Sequence, residues 1–299
     1  MTDRSTLFTD TKSPAFIAEV SSNHHRDLQR CHAFIEAAHR TGSRAVKFQL
    51  FRIDELFAPE ILAKSPEHRA RAEWELPTDF LPALAQKTHD LGMLFSCTPF
   101  YLDAVGTLEP YVDFYKIASY ELLWDDLLKA CAETGKPVVL STGMATMDEI
   151  AHAKDVIMAA GCRDLTLLHC VSSYPTPPEQ MNLSAIDTLR NAFDVPVGLS
   201  DHSVDAGIIA RAVHRFGAVA VEYHLDLDGE GEEFAAGHCW LPDQIATVIK
   251  DIKTGFKADG DGVKKPAASE MADRDWRADP DDGLRPLKAT RQTGNADDA

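Results

Sequence analysis

The chain has 299 residues, 44% hydrophobic and 26% charged, a globular balance with length for one large α/β domain or two small ones. A formal charge of -17 argues against nucleic acid and anionic membranes as partners, since both select basic surfaces, although a few lysines can still build an anion pocket inside an acidic shell. The six cysteines (Cys31, Cys97, Cys131, Cys162, Cys170, Cys239) form no CxxC pair and read as reduced core residues; with no apolar leader and no apolar run of membrane-spanning length, a cytoplasmic protein is expected.

Apolar runs rich in Val, Ile, Phe and Leu alternate with helical patterns as far as about residue 256. The first predicted strand is AFIAEV (15–20), followed by DLQRCHAFIEAAHRTG, an amphipathic helix opened by an Asp and closed by a Gly. Strands follow at RAVKFQLF (44–51), MLFSCT (93–98), VDFYKIAS (112–119) and PVVLST (137–142), then the helical pattern DEIAHAKDVIMAAG, again closed by a Gly. The last strands are LTLLHC (165–170), VPVGLS (195–200) and AVAVEYH (218–224), and PDQIATVIKDIKTGF is the final helix. Eight near-continuously apolar strands, each followed by a helix, predict a (β/α)8 TIM barrel over residues 1–257. An open doubly wound sheet is the competing architecture, but no Gly-rich phosphate turn follows the first strand. Residues 258–299 are polar, contain Pro and Gly, lack helical or strand periodicity, and read as an extended or partly disordered C-terminal arm.

The C-terminal ends of barrel strands face one rim, where active sites sit. Here those ends deliver Glu19; Lys47 and Gln49; Thr98; Lys116 and Ser119; Ser141 and Thr142; His169; Ser200, Asp201 and His202; Glu222 and His224. Residues two apart on a strand share a face, which pairs Lys47 with Gln49, Ser200 with His202, and Glu222 with His224. One such residue is most simply a satisfied core polar group. Eight strands doing it together imply a ligand, because each buried polar group left unsatisfied costs about 1–3 kcal/mol. Lys47, Lys116, Ser119, Ser141 and Ser200 make a donor set suited to phosphate plus carboxylate. His202 and His224, on neighbouring strands, can share one divalent metal with Glu222 or a water.

The motifs FIAEVSSNHHRD, AVKFQ, SCTPF, FYKIAS, LSTGM, LLHCVSSYPTP, GLSDHS and VEYH, in order from residue 15 to about 250, together resemble the sialic acid synthase (N-acetylneuraminate synthase) family. The resemblance implies a barrel that condenses phosphoenolpyruvate with an aldehyde-form amino sugar, using Mn2+ or Mg2+, in a homodimer. By motif, Lys47, Thr98, Lys116, Ser119, Ser141 and Ser200 fall where that family binds phosphoenolpyruvate, and His202 and His224 fall on its metal ligands. Glu19 falls on the carboxylate that assists condensation, and Gln49, Glu121 and Tyr174 fall on positions near the acceptor.

The acceptor half departs from the family pattern. Ala235 stands where an Asp grips the acceptor sugar, Ser172 stands where an amide is common, and the 299 residues show no antifreeze-like domain after the barrel. The loop GEGEEFAAGHCWLP offers Glu232, Glu233, His238 and Trp240 instead, with His238 placed to reach a hydroxyl or the metal and Trp240 either stacking on a sugar or anchoring the last helix. Arg277 or Arg285 of the arm could replace an arginine that the missing domain supplies. N-acetylmannosamine is therefore expected to be a poor acceptor. Two other functions stay open: a lysine Schiff-base aldolase using Lys47 or Lys116, and a non-catalytic sugar-phosphate-binding barrel.

Overall fold

The computed structural model describes residues 7–293. Its strands are β1 (Ala15–Glu19), β2 (Ala45–Leu50), β3 (Leu94–Pro99), β4 (Phe114–Ile117), β5 (Val138–Ser141), β6 (Leu165–Cys170), β7 (Val197–Asp201) and β8 (Ala220–Leu225). Each is parallel to the next, and β8 returns to pair with β1, from Ala15 opposite Ala220 to Glu19 opposite His224. The sheet is closed, so the predicted TIM barrel is the fold. Strand limits differ from the sequence reading by at most two residues at either end, and β6 matches it.

Local chemistry sets the helices. Leu28–Thr41 begins on Asp27, whose carboxylate accepts from the N–H groups of Gln29 and Arg30 at 2.7 and 3.3 Å, and ends on Gly42 at φ 86°. The helix predicted from DEIAHAKDVIMAAG spans Met147–Ala159 and is opened by a capping box between Thr146 and Glu149 rather than by an Asp. The final helix runs from Pro242 to Asp259. Two features have no strong pattern in the sequence. Short helical turns (Ile53–Leu56, Pro59–Lys64, Pro66–Ala70) fill the stretch between β2 and the helix Leu81–Asp90. A two-residue strand, β9 (Cys239–Trp240), pairs in parallel with the C-terminal end of β8, with Cys239 opposite His224.

The pleat stratifies the barrel interior. Ile17, Ala45, Phe114, Val139, Leu168 and Ala220 form one buried apolar layer, closed below by Phe8, whose ring meets Phe114 edge-on at 5.4 Å. Two residues further along the same strands stand Glu19, Lys47, Lys116, Ser141, Cys170 and Glu222. An apolar floor thus supports a polar layer at the C-terminal mouth. Gly198 of β7 lies level with the floor, where a Cβ would meet the Ala220 carbonyl oxygen at 2.4 Å and Leu168 Cδ2 at 2.7 Å. Backbone cannot yield as a side chain can, so Gly198→Ala should cost about 3 kcal/mol, at the upper end for overpacking. The urea midpoint measures it; a change below ~0.5 kcal/mol would show that β7 and β8 can separate freely.

The chain divides into two compact units, Met1–Phe256 and Lys257–Ala299. The described part of the second is more ordered than the expected arm. It forms helical turns at Ala268–Glu270 and Arg274–Trp276 and a short helix at Lys288–Thr293. Buried Asp279 accepts from the N–H groups of Lys288 and Asp281 at 2.7 and 3.1 Å, and the Arg291 guanidinium holds both Asp282 oxygens at 2.9 Å. Side-chain-to-backbone bonds create this order, and hydrophobic periodicity does not register them. Arg277 donates to the Arg274 carbonyl at 2.7 Å. Among the described residues no helix is long and apolar enough to cross a membrane.

Candidate active site

A cavity of about 760 Å³ opens at the C-terminal mouth. Of the residues singled out above, Glu19, Lys47, Gln49, Thr98, Lys116, Ser119, Glu121, Ser141, Tyr174, Ser200, His202, His224 and His238 line it, whereas Thr142 and His169 bond backbone carbonyls outside it. Leu56, Phe57, Arg71 and Trp74 from the stretch after β2 complete the wall. Asp201, one residue out of phase, faces the other side of β7; its Oδ1 accepts from the Ser203 hydroxyl at 2.6 Å and its Oδ2 from the Trp240 indole N–H at 3.3 Å. Trp240 is buried by this anchoring and does not line the cavity, which excludes the stacking role considered for it.

One side of the cavity is a buried charge network. The Lys47 ammonium is ion-paired with Glu19, donates to Thr98 Oγ1 at 3.1 Å and lies 4.0 Å from Glu222 Oε2. Lys116 Nζ lies 3.6 Å from Glu222 Oε1 and donates to the Ile117 carbonyl at 3.1 Å. Ser200 donates to Glu222 Oε1 at 3.3 Å, and Gln49 Nε2 donates to Glu19 Oε1 at 2.9 Å. Burial works to lower the pKa of both lysines. For Lys47 it is outweighed by Glu19 and then Glu222, so its pKa ends above the ordinary value. For Lys116 burial prevails over Glu222, and Lys47 adds repulsion, so its pKa ends below. Burial also opposes ionisation of Glu222, but Lys116 and Lys47 reverse the balance and hold it low.

Some of these groups lack partners. Ser141 Oγ is buried with no hydrogen bond among the described residues, as are Glu222 Oε2 and Glu121 Oε2. Ser119 Oγ accepts from the Gly143 N–H at 2.9 Å. Gly143 is required by that close approach, since a Cβ there would stand 2.8 Å from Ser119 Oγ and 2.3 Å from Ser172 Oγ. Two ammonium groups and four hydroxyls (Thr98, Ser119, Ser141, Ser200) therefore converge where a small polyanion fits.

The other side is aromatic and histidine-rich. His202 Nδ1 is 2.9 Å from the Val171 carbonyl, so Nδ1 carries the proton and Nε2 keeps its lone pair. Burial, then His224, lowers the His202 pKa to about 3, leaving a neutral imidazole. His224 Nδ1 is 2.8 Å from Glu233 Oε2; burial acts to lower its pKa, but Glu233 overcomes this and raises it. The ring centroids of His202 and His224 are 5.3 Å apart and those of His224 and His238 are 5.2 Å apart, with Tyr174 lying against all three.

Ligand atoms of His224, Glu233, His238 and Cys239 lie within 4.8 Å of one another. Imidazoles beside a carboxylate fit a divalent ion. His224, expected as a ligand, belongs to this group, whereas His202 stands beside it. His238, expected near the acceptor, belongs to it as well. The sequence offered no spacing signal for Glu233 and Cys239, because the turn Glu232–Ala235 and β9 bring them inward only once β8 is in place. Ala235 is exposed and lines no part of the cavity, while Glu233 does.

Comparison with known proteins agrees with this barrel. The NeuB family matches residues 34–264. The chain is 38% identical over 262 residues to uncharacterized protein MJ1065 of Methanocaldococcus jannaschii, covering 86% of this chain and 75% of that one. It is 33% identical over 275 residues to the N,N'-diacetyllegionaminic acid synthase of Campylobacter jejuni, covering 87% of this chain and 81% of that one. A crystal structure of the N-acetylneuraminic acid (sialic acid) synthetase from Leptospira borgpetersenii, in complex with citrate, superposes with a TM-score of 0.77 at 31% identity, covering 88% of this chain and 90% of that one. With the match spanning most of the barrel and every residue of the polar layer except Glu19, this chain belongs to the NeuB family.

Proposed function

We propose that the chain condenses phosphoenolpyruvate with an aldehyde-form amino sugar, giving a sialic-acid-like 3-deoxy-2-keto sugar acid and releasing phosphate. The observation that carries this reading is the pairing, in one cavity, of the Lys47 and Lys116 ammonium groups and their hydroxyls with the histidine cluster. The first set recognises the carboxylate and phosphate of the donor. C3 of phosphoenolpyruvate then attacks the aldehyde carbon, water adds at C2, and the C2–O bond to phosphate breaks as the ketone forms. Glu19, fixed by Lys47, Gln49 and the Ser21 N–H, is placed to stabilise positive charge developing at C2 or to take the proton of the added water. Ser141 fills its empty hydrogen-bonding capacity on the donor's oxygens. Gln49, Glu121 and Tyr174 bound the space left for the acceptor. A divalent ion, Mn2+ or Mg2+, on the histidine side with His202 and His224 would supply Lewis-acid polarisation of the aldehyde oxygen.

The Schiff-base reading depends on Lys116, whose pKa burial lowers, since that of Lys47 is raised by Glu19 and Glu222. Phosphate release from phosphoenolpyruvate with Mn2+ separates the readings. The acceptor panel should include N-acetylmannosamine, other N-acetylated hexoses, di-N-acetylated bacillosamine-type sugars and pentoses. Metal-dependent release with one acceptor is expected, with N-acetylmannosamine below ~10⁴ M⁻¹s⁻¹ in kcat/KM. A borohydride-trapped pyruvate–lysine adduct would establish the aldolase instead, and no release with any sugar would leave a binding protein.

A further inference from the structure

The loop after β8 closes over His224. Buried Asp226 pins its start: Oδ1 accepts from the N–H groups of Asp228 and Gly229 at 3.0 and 2.9 Å, and Oδ2 from Gly231 at 3.1 Å. Gly231 has no room for a side chain, since a Cβ would stand 2.1 Å from Asp226 Oδ2 and 2.6 Å from Asn23 Oδ1. The following turn sends the Glu233 carboxylate inward. Its Oε1 accepts the Ser21 hydroxyl and, at 3.5 Å, that of Ser22. Its Oε2 faces three groups: His224 Nδ1 at 2.8 Å, Cys239 Sγ at 3.6 Å and His238 Nε2 at 3.7 Å.

His238 is the telling member. It is 8% exposed, its Nδ1 is buried without a hydrogen-bond partner, and Nε2 stands beyond hydrogen-bond distance from Glu233. Nε2 is turned toward Glu233 without bonding it, so this nitrogen is available to a ligand. The 3.7 Å between His238 Nε2 and Glu233 Oε2 is long for a hydrogen bond but close to the ligand–ligand edge of a site with bonds of about 2.0–2.2 Å. The shorter contact to His224 is one in which a metal ion can replace a proton. Both Glu233 oxygens are already turned to groups of the barrel, which argues against a role in gripping the acceptor.

We propose that Glu233 and His238 join His224 as ligands of one divalent ion, so that the loop after β8 supplies part of the metal site. Two imidazoles with one carboxylate favour Mn2+, Co2+ or Zn2+ over Mg2+. The assignment is independent of whether the chain condenses phosphoenolpyruvate, and its test needs no turnover.

Full-length protein stripped with a chelator is titrated with Mn2+, free ion being read by electron paramagnetic resonance. E233Q and H238Q, each checked for folding by circular dichroism, are expected to bind at least ~10-fold more weakly than the parent chain. Loading the unmodified chain with Zn2+ and observing ¹⁵N-labelled histidine by NMR provides a readout without substitutions: one His238 nitrogen should move to the metal-bound position. Parent-like Mn2+ affinity in both variants, or an unmoved His238 resonance in the Zn2+-loaded chain, overturns the proposal. So does a pattern in which H202A abolishes binding while E233Q and H238Q keep it.

Discussion

Lys47→Ala should lower kcat/KM for phosphoenolpyruvate by roughly 10³-fold or more while the barrel stays folded, the range reached when one member of a buried charge pair is removed. The size follows from position. Lys47 touches Glu19, Thr98 and the edge of Glu222, and is 3% exposed. Its removal deletes a donor to the anionic substrate and also leaves two buried carboxylates without their shared counter-ion. An incoming carboxylate or phosphate would then meet net repulsion in a site shielded from water. Lys116→Ala should cost less in folding, because Lys116 is balanced by Glu222 alone and its own charge is disfavoured by burial. Steady-state kinetics at saturating metal, with thermal melts of both variants, provide the measurement. A loss under 10-fold for Lys47→Ala would remove the lysine pair from donor binding.

The part of this molecule that could be read from its sequence is the part governed by short periods. Parallel strands buried on both faces must be apolar, so their outlines are legible, their ends bring Glu19, Lys47, Lys116, Ser141, Ser200 and Glu222 to one rim, and alternation pairs Lys47 with Gln49, Ser200 with His202 and Glu222 with His224. The cavity gathers those residues because the pleat obliges it to. Glu233 was visible only as one acid in an acidic loop. Its place beside His224 depends on Asp226 anchoring the turn and on β9 pairing with β8, contacts that no local pattern encodes. Trp240 was equivocal for the same reason, since its anchor, Asp201, is 39 residues away. The order around Asp279 and Arg291 leaves no periodic signature because it rests on side-chain hydrogen bonds and not on an apolar face.

Glu121 provides a test in which the direction of the pH effect is fixed beforehand. Its carboxyl is buried, Oε2 has no partner, and burial raises its pKa to about 7 against the opposing pull of Lys116. Below the unfolded-state value of 4.5 the group is protonated in both states and costs nothing. As pH rises from there to about 7, the unfolded chain releases this proton and the folded chain keeps it, so stability falls; above about 7 the loss is complete and constant. A shift of this size corresponds to roughly 3 kcal/mol, taking 1.36 kcal/mol per pKa unit. Glu121→Gln removes the titration, so the difference between the stability curves of the parent chain and the variant should change by about 2–3 kcal/mol between pH 5 and pH 8, in favour of the variant at high pH. The same protonation has a consequence for binding. Near neutrality a protonated Glu121 can donate a hydrogen bond into the cavity, and ionised it can only accept. The acceptor KM of the parent chain should therefore rise as pH passes through about 7, and that of Glu121→Gln, which donates at every pH, should stay flat. Urea titrations at several pH values and acceptor KM profiles measure the two effects. Parallel stability curves would show that water reaches this carboxyl, and a parallel KM dependence would show that the acceptor does not touch it.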